Sequence, residues 1–232
     1  MHPETLAEGI AAQVALAGST PPAGFKIGAT AKRMQDYLGL KGPAAGFMAE
    51  SGLHASGSTL AYNGFFRPGV ECELAVHLAH DLPPDPCTGA RARAAVDGVM
   101  PAIEIVENRY ADLAAFGAPA MVADQVFHAA AVIGDASDAW RTLDLLGLHG
   151  TISVDGTVQG EGDGRELLGG PFQALVWLAG SAEAAAFGGL RAGQIVMLGS
   201  VCPPVWLEGP AVITVSFPPL GTVEIALVAT SP

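Results

Sequence analysis

Positive charge is scarce in this chain. Against 23 aspartates and glutamates stand 11 lysines and arginines, a formal net charge of −12, and such a surface attracts neither nucleic acid nor an anionic membrane. Cysteine is scarce as well. Cys72, Cys87 and Cys202 are odd in number and form no C-x-x-C pair, which argues against a disulfide framework and fits a reducing, cytoplasmic setting. No apolar run reaches the roughly 18 residues that a membrane span needs. The polar opening Met1-His-Pro-Glu-Thr5 lacks the basic and apolar regions of a signal peptide.

What is present is enough for one substantial core. The 232 residues are 50% hydrophobic and 15% charged, so one main domain is expected. Thr5 to Leu16 has helical spacing and is broken by Pro21 and Pro22, leaving residues 1–23 as a short N-terminal helical segment before a single domain at 24–232. Phe25 to Ala29 reads as a strand, followed by a helix capped by Thr30 and ended by Gly39. Residues 42–67 read as a glycine-rich loop. A strand around Glu71, a helix from Arg91 to Val99 and a strand from Ala102 to Val106 follow. Val126 to Ile133 reads as a strand, and Asp155-Gly156 centres a hairpin over 151–159. Gly160-Glu-Gly-Asp-Gly164 lacks the Lys-Ser/Thr sequel of a phosphate loop and reads as a turn. A helix from Pro171 to Ala179 and strands at 195–198, 212–217 and 223–228 complete the chain. The fold class is α+β: a mixed, curled β-sheet roll with peripheral helices.

Glu71 and Glu73 interrupt the apolar run Val70-Glu-Cys-Glu-Leu-Ala-Val76. Residues two apart on a strand share a face, with Cα atoms roughly 6.6 Å apart. Two ionised carboxylates on one face need compensation by a divalent cation, basic side chains or water. Glu104 interrupts a second strand, Pro101-Ala-Ile-Glu-Ile-Val106. Three acids from two strands make a ligand set for Mg²⁺ or Mn²⁺; an exposed face of an edge strand is the plainer alternative. His77 and His80 drop out as ligands. His77 lies about 13 Å along the strand from Glu73, and His80 points to the other face. Lys26, between two glycines in Gly24-Phe-Lys-Ile-Gly28, is a candidate to bind a carboxylate or move a proton; a strand-end lysine with its head in water is the alternative.

The ordered series Gly24-Phe-Lys-Ile-Gly-Ala-Thr30, Gly46-Phe-Met-Ala-Glu50, Arg67-Pro-Gly-Val-Glu-Cys-Glu-Leu-Ala75, Met100-Pro-Ala-Ile-Glu-Ile-Val106, Gly170-Pro-Phe-Gln-Ala-Leu-Val-Trp-Leu178 and Leu190-Arg-Ala-Gly-Gln-Ile-Val196 resembles the 2-keto-4-pentenoate hydratase and 4-oxalocrotonate decarboxylase family. That family lies within the fumarylacetoacetate hydrolase superfamily. The resemblance implies a Mg²⁺ or Mn²⁺ site at Glu71, Glu73 and Glu104, an active-site lysine at Lys26, and Glu50 beside the substrate. It also implies substrate contacts from Arg67, Asp124, Gln125, His128 and Ser200. The implied activity is a hydro-lyase reaction on a small 2-hydroxydienoic or 2-oxo acid, in which a metal stabilises the enolate. Decarboxylation, acylpyruvate C–C hydrolysis and a non-catalytic binding role are the alternatives. One stretch departs from the family pattern: Val122-Ala-Asp-Gln-Val-Phe-His-Ala129 places Gln125, Phe127 and His128 where asparagine and small side chains are usual. The mean hydropathy of +0.38 and the resemblance together imply a homo-oligomer.

Overall fold

The computed structural model describes residues 2–229. Thr5 opens helix α1 (Leu6–Ala17) with a capping box: its hydroxyl accepts from the Glu8 amide at 3.2 Å, and the Glu8 carboxylate accepts from the Thr5 amide at 3.3 Å. Strand β1 (Gly24–Gly28) follows the proline break. Helix α2 (Lys32–Leu38) has Ala31, not Thr30, at its N-cap, and Gly39 closes it at φ 69°. The region 42–67 is not the loop its glycines suggest. It holds β2 (Ala44–Met48), β3 (Leu53–Ala55) and β4 (Ser58–Ala61), and Gly46 serves close approach, since a Cβ there would lie 2.4 Å from the Gln125 carbonyl oxygen.

The two acid-bearing strands are long. β5 (Pro68–Leu78) pairs antiparallel with β6 (Val96–Glu107), and helix α3 (Gly89–Ala94) between them ends before Val96. Val96 and Val99, expected in the helix, pair with Leu78 and Val76 instead, as their β-branched side chains favour. Helix α4 (Leu113–Ala123) left no clear helical pattern because Gly117, at φ 74°, and Pro119 interrupt it. Asp112 caps it by accepting from the Ala115 amide at 3.2 Å.

β7 (His128–Ile133) begins two residues later than expected, after a left-handed turn at Gln125–Phe127. β8 (His149–Val154) and β9 (Thr157–Asp163) form the expected hairpin, with Asp155 and Gly156 at φ 49° and 78°. The Gly160–Gly164 stretch is therefore largely strand rather than turn. α5 (Pro171–Ala179) and α6 (Ala182–Ala186) lead to β10 (Ile195–Ser200), β11 (Val205–Trp206), β12 (Ala211–Phe217) and β13 (Gly221–Val228).

These strands make two sheets. One runs β2-β1-β10-β5-β6-β7-β3, with β11 also on β5; the other runs β4-β13-β12-β8-β9. Parallel pairs (β1–β10, β3–β7, β4–β13) mix with antiparallel ones. Alternation along β5 separates its two faces. Val70, Cys72, Leu74 and Val76 join the main core with Ile213, Val215 and Ile225 of the second sheet. Glu71, Glu73 and Ala75 face the other way, where Ala75 packs with Ala102 and Met197. Among the described residues, no helix is long and apolar enough to cross a membrane.

Candidate metal centre

Register brings the acids together. Glu71 on β5 stands opposite Glu104 on β6, while Glu73 stands opposite Ala102. One carboxylate oxygen from each of Glu71, Glu73 and Glu104 lies within 4.8 Å of the others. Glu73 and Glu104 are fully buried and Glu71 is partly buried, so the exposed edge-strand alternative fails. At an effective dielectric of about 20, like charges at such a spacing repel by roughly 3 kcal/mol per pair.

Compensation comes from three directions and is incomplete. Lys26, only 1% exposed, places Nζ 3.1 Å from Glu104 Oε1 and donates to the Val126 carbonyl at 2.7 Å. His128 Nδ1 lies 2.9 Å from the same Glu104 oxygen. The Gly199 amide donates to Glu73 Oε2 at 3.0 Å, at a break in the β10–β5 register where Gly199 has φ 101°. With all three carboxyls ionised, as ligands to a cation are, the Lys26 ammonium would leave a formal charge of −2. Glu73 Oε1, Glu104 Oε2 and His128 Nε2 are buried without a hydrogen-bond partner.

The ionisation pattern follows from this arrangement. Burial, and then the Glu104 charge, push the Glu71 carboxyl up to about 8, with Lys26 pulling the other way. Burial and the two neighbouring carboxylates raise Glu73 well above the ordinary range. Burial also opposes ionisation of Glu104, but Lys26 and His128 more than offset it and hold that carboxyl below its ordinary value. Orphaned, hard oxygen donors that reach a net charge of −2 once a cation displaces their protons fit a divalent ion such as Mg²⁺ or Mn²⁺.

A cavity of about 820 Å³ opens onto the cluster. Lys26, Glu71 and Ser200 are among its polar lining, with Lys32, Arg33 and Glu166, while Val106, Val126 and Phe127 contribute apolar lining. The Ser200 hydroxyl is tied to backbone, 2.7 Å from the Cys202 carbonyl oxygen and 3.2 Å from the Cys72 amide. His128 and Gln125 line a smaller cavity of about 320 Å³ with Glu107 and Arg109. Asp124 pairs with Arg109 at 3.1 Å, and burial raises its carboxyl despite that guanidinium. Arg67 is exposed and donates to the Asn108 and Tyr110 carbonyls, each at 2.8 Å. Glu50 is exposed on the turn after β2 and lines neither cavity.

Thus Lys26, Glu71, Glu73, Glu104 and His128 meet, Ser200 borders them, and Glu50, Arg67, Asp124 and Gln125 stand apart from the carboxylates. His77 pairs with Asp97 at 2.6 Å, away from the cluster. Gly199, the Val126 carbonyl and Arg109 escaped sequence reasoning. Backbone groups carry no side-chain signature.

A curled mixed sheet that gathers two buried carboxylates, a partly buried third and a buried lysine beneath one cavity defines a class of protein built around a cation-binding acid site. The chain belongs to the fumarylacetoacetate (FAA) hydrolase C-terminal family, matched over residues 25–228. It is 31% identical over 203 residues to a 2-keto-4-pentenoate hydratase of Burkholderia vietnamiensis, covering 87% of this chain and 76% of that protein. It is 33% identical over 185 residues to a 2-hydroxyhexa-2,4-dienoate hydratase of Comamonas testosteroni, covering 78% and 69%. Among solved structures it resembles 4-oxalocrotonate decarboxylase from Pseudomonas putida G7, complexed with magnesium and adipate. There the TM-score is 0.88 at 25% identity, with 97% of this chain and 86% of that one covered.

Proposed function

We propose that this protein is a divalent-cation-dependent hydro-lyase that adds water to a small 2-hydroxydienoic acid by way of its 2-oxo tautomer. The observation that carries the reading is the pair of buried, unpartnered oxygens, Glu73 Oε1 and Glu104 Oε2, inside a three-carboxylate cluster beneath an open cavity. The hydratase relatives support the reaction type.

Glu71, Glu73 and Glu104 would hold the cation. Once bound, Mg²⁺ or Mn²⁺ supplies a Lewis acid for the carboxylate and keto oxygens of a 2-oxo acid. Lys26 presents a fixed ammonium in the same cavity lining, suited to hold or deliver a proton as the dienol becomes the ketone. The apolar wall at Val106 and Phe127 favours the hydrocarbon part of the substrate and excludes excess water. Ser200, bound to backbone, lines the same cavity. Glu50 is not among the residues lining the larger cavity. A cytoplasmic setting and a homo-oligomeric assembly belong to the same reading, supported by the acidic composition, the free cysteines and the high mean hydropathy.

The test is incubation of Mn²⁺-loaded protein with 2-hydroxypenta-2,4-dienoate, following loss of diene absorbance and formation of 4-hydroxy-2-oxopentanoate. Failure to bind Mn²⁺, or inertness of loaded protein toward dienoates of several chain lengths, would sink the proposal. The likeness to the decarboxylase favours a second reading, CO₂ release from 2-oxo-3-hexenedioate; CO₂ formation without hydrated product would select it.

A further inference from the structure

Gln125, Val126 and Phe127 are consecutive non-glycine residues at φ 54°, 56° and 67°. Left-handed backbone costs roughly 1–2 kcal/mol per L-residue, and a β-branched residue is the least suited to it. Such a turn persists only where its surroundings over-determine it. Here the Gln125 side-chain amide donates to the Phe47 carbonyl at 2.8 Å. A Cβ on Gly46 would lie 2.4 Å from the Gln125 carbonyl oxygen, and one on Gly28 would lie 2.5 Å from Val126 Cγ1. The Val126 side chain is buried beside Met121 and Val122.

The turn aims the Val126 carbonyl at Lys26 Nζ, 2.7 Å away, while that ammonium also rests 3.1 Å from Glu104 Oε1. A buried ammonium without the carbonyl would have a freed N–H to satisfy, and the same carboxylate cluster offers the unpartnered acceptors Glu73 Oε1 and Glu104 Oε2. Those are the oxygens a cation needs. We propose that the turn Gln125–Phe127 is a positioning device that pins Lys26 to one side of Glu104 and so keeps the lysine from occupying the cation position itself. Gln125, the anchor of the turn, acts through Lys26 and is a positioning residue. The inference rests on the reading of the carboxylate cluster as a cation site.

The test is Mn²⁺ binding by titration calorimetry on the full chain, with no substrate. Gln125→Ala removes the anchor, and Gly46→Ala pushes the turn from the opposite side should the first variant be poorly folded. Each is expected to weaken Mn²⁺ binding by at least about tenfold, as an ammonium competing at contact distance implies. In a Lys26→Met background, where no ammonium remains to intrude, the same substitutions should change affinity less than twofold. Unchanged affinity in both single variants, or an equal loss with and without Lys26, overturns the positioning role. Absence of Mn²⁺ binding by the unaltered protein overturns the cation site itself, a result distinguishable from the other two.

Discussion

Replacing Glu71 by glutamine should stabilise the metal-free protein at mildly alkaline pH while abolishing its response to metal. In the folded, metal-free chain this carboxyl is pushed from 4.5 to about 8, first by burial and then by the Glu104 charge. A folded-state value above the unfolded one means that folding takes up a proton. The stabilising share of Glu71 is therefore whole below 4.5 and is lost as pH rises through about 8. At about 1.36 kcal/mol per pH unit the complete difference is roughly 5 kcal/mol, and sharing among the three acids reduces the expected effect to on the order of 2–4 kcal/mol. That corresponds to a Tm change of about 5–15 °C for a chain of this size. Thermal melts from about pH 5 to about pH 8.5, in EDTA and in Mg²⁺, read this directly. The unaltered protein in EDTA should lose Tm across the window and recover it with Mg²⁺, whose binding displaces the proton. Glu71→Gln should melt higher than the unaltered protein at pH 8 in EDTA and gain nothing from Mg²⁺. Asp124 and Glu183, also raised by burial, contribute the same slope to both proteins, so their difference reports Glu71 together with the part of the Glu73 shift that the Glu71 charge causes. Parallel curves for the two proteins would refute the reasoning.

Gln13 in α1 is 1% exposed, donates to the Ala45 and Val122 carbonyls, and accepts from the Phe47 amide. At about 1 kcal/mol per bond, Gln13→Ala should cost roughly 3 kcal/mol in urea denaturation while leaving Mn²⁺ affinity unchanged. Gly162→Ala places a methyl 2.1 Å from the Val201 carbonyl oxygen, so it should force the 201–204 loop outward and lower Tm by several degrees, at a cost of about 1–3 kcal/mol. His128→Leu removes one donor from the buried Glu104 carboxylate. It should destabilise the metal-free chain by about 1.5–3 kcal/mol in the same denaturation assay, with Mg²⁺ recovering part of the loss.

The parts of the site carried by residue type and local period were legible in the chain. Glu71 and Glu73 had to share a face because strand side chains alternate, and Asp155-Gly156 had to turn because that pair accepts left-handed backbone. Glycines misled: the 42–67 stretch and Gly160–Gly164 looked like loops, yet Gly46 and Gly162 sit in strands where another backbone passes too close for a Cβ. The helix α4 was hidden by its own Gly117 and Pro119. Placement in space was harder still, since Glu50 and Arg67, put beside the substrate by the family resemblance, lie outside both cavity linings.

Composition and alternation thus sufficed for an acidic α+β chain with carboxylates on two apolar strands, because those properties depend on residue type and nearest neighbours alone. Whether the carboxylates converge depended on the β5–β6 register that sets Glu71 opposite Glu104. Whether Lys26 neutralises them or stands aside depended on Val126, 100 residues away in sequence, presenting its carbonyl. Both are long-range geometric facts, decided when curled sheets and a strained turn are packed together, and no local pattern of side chains encodes them.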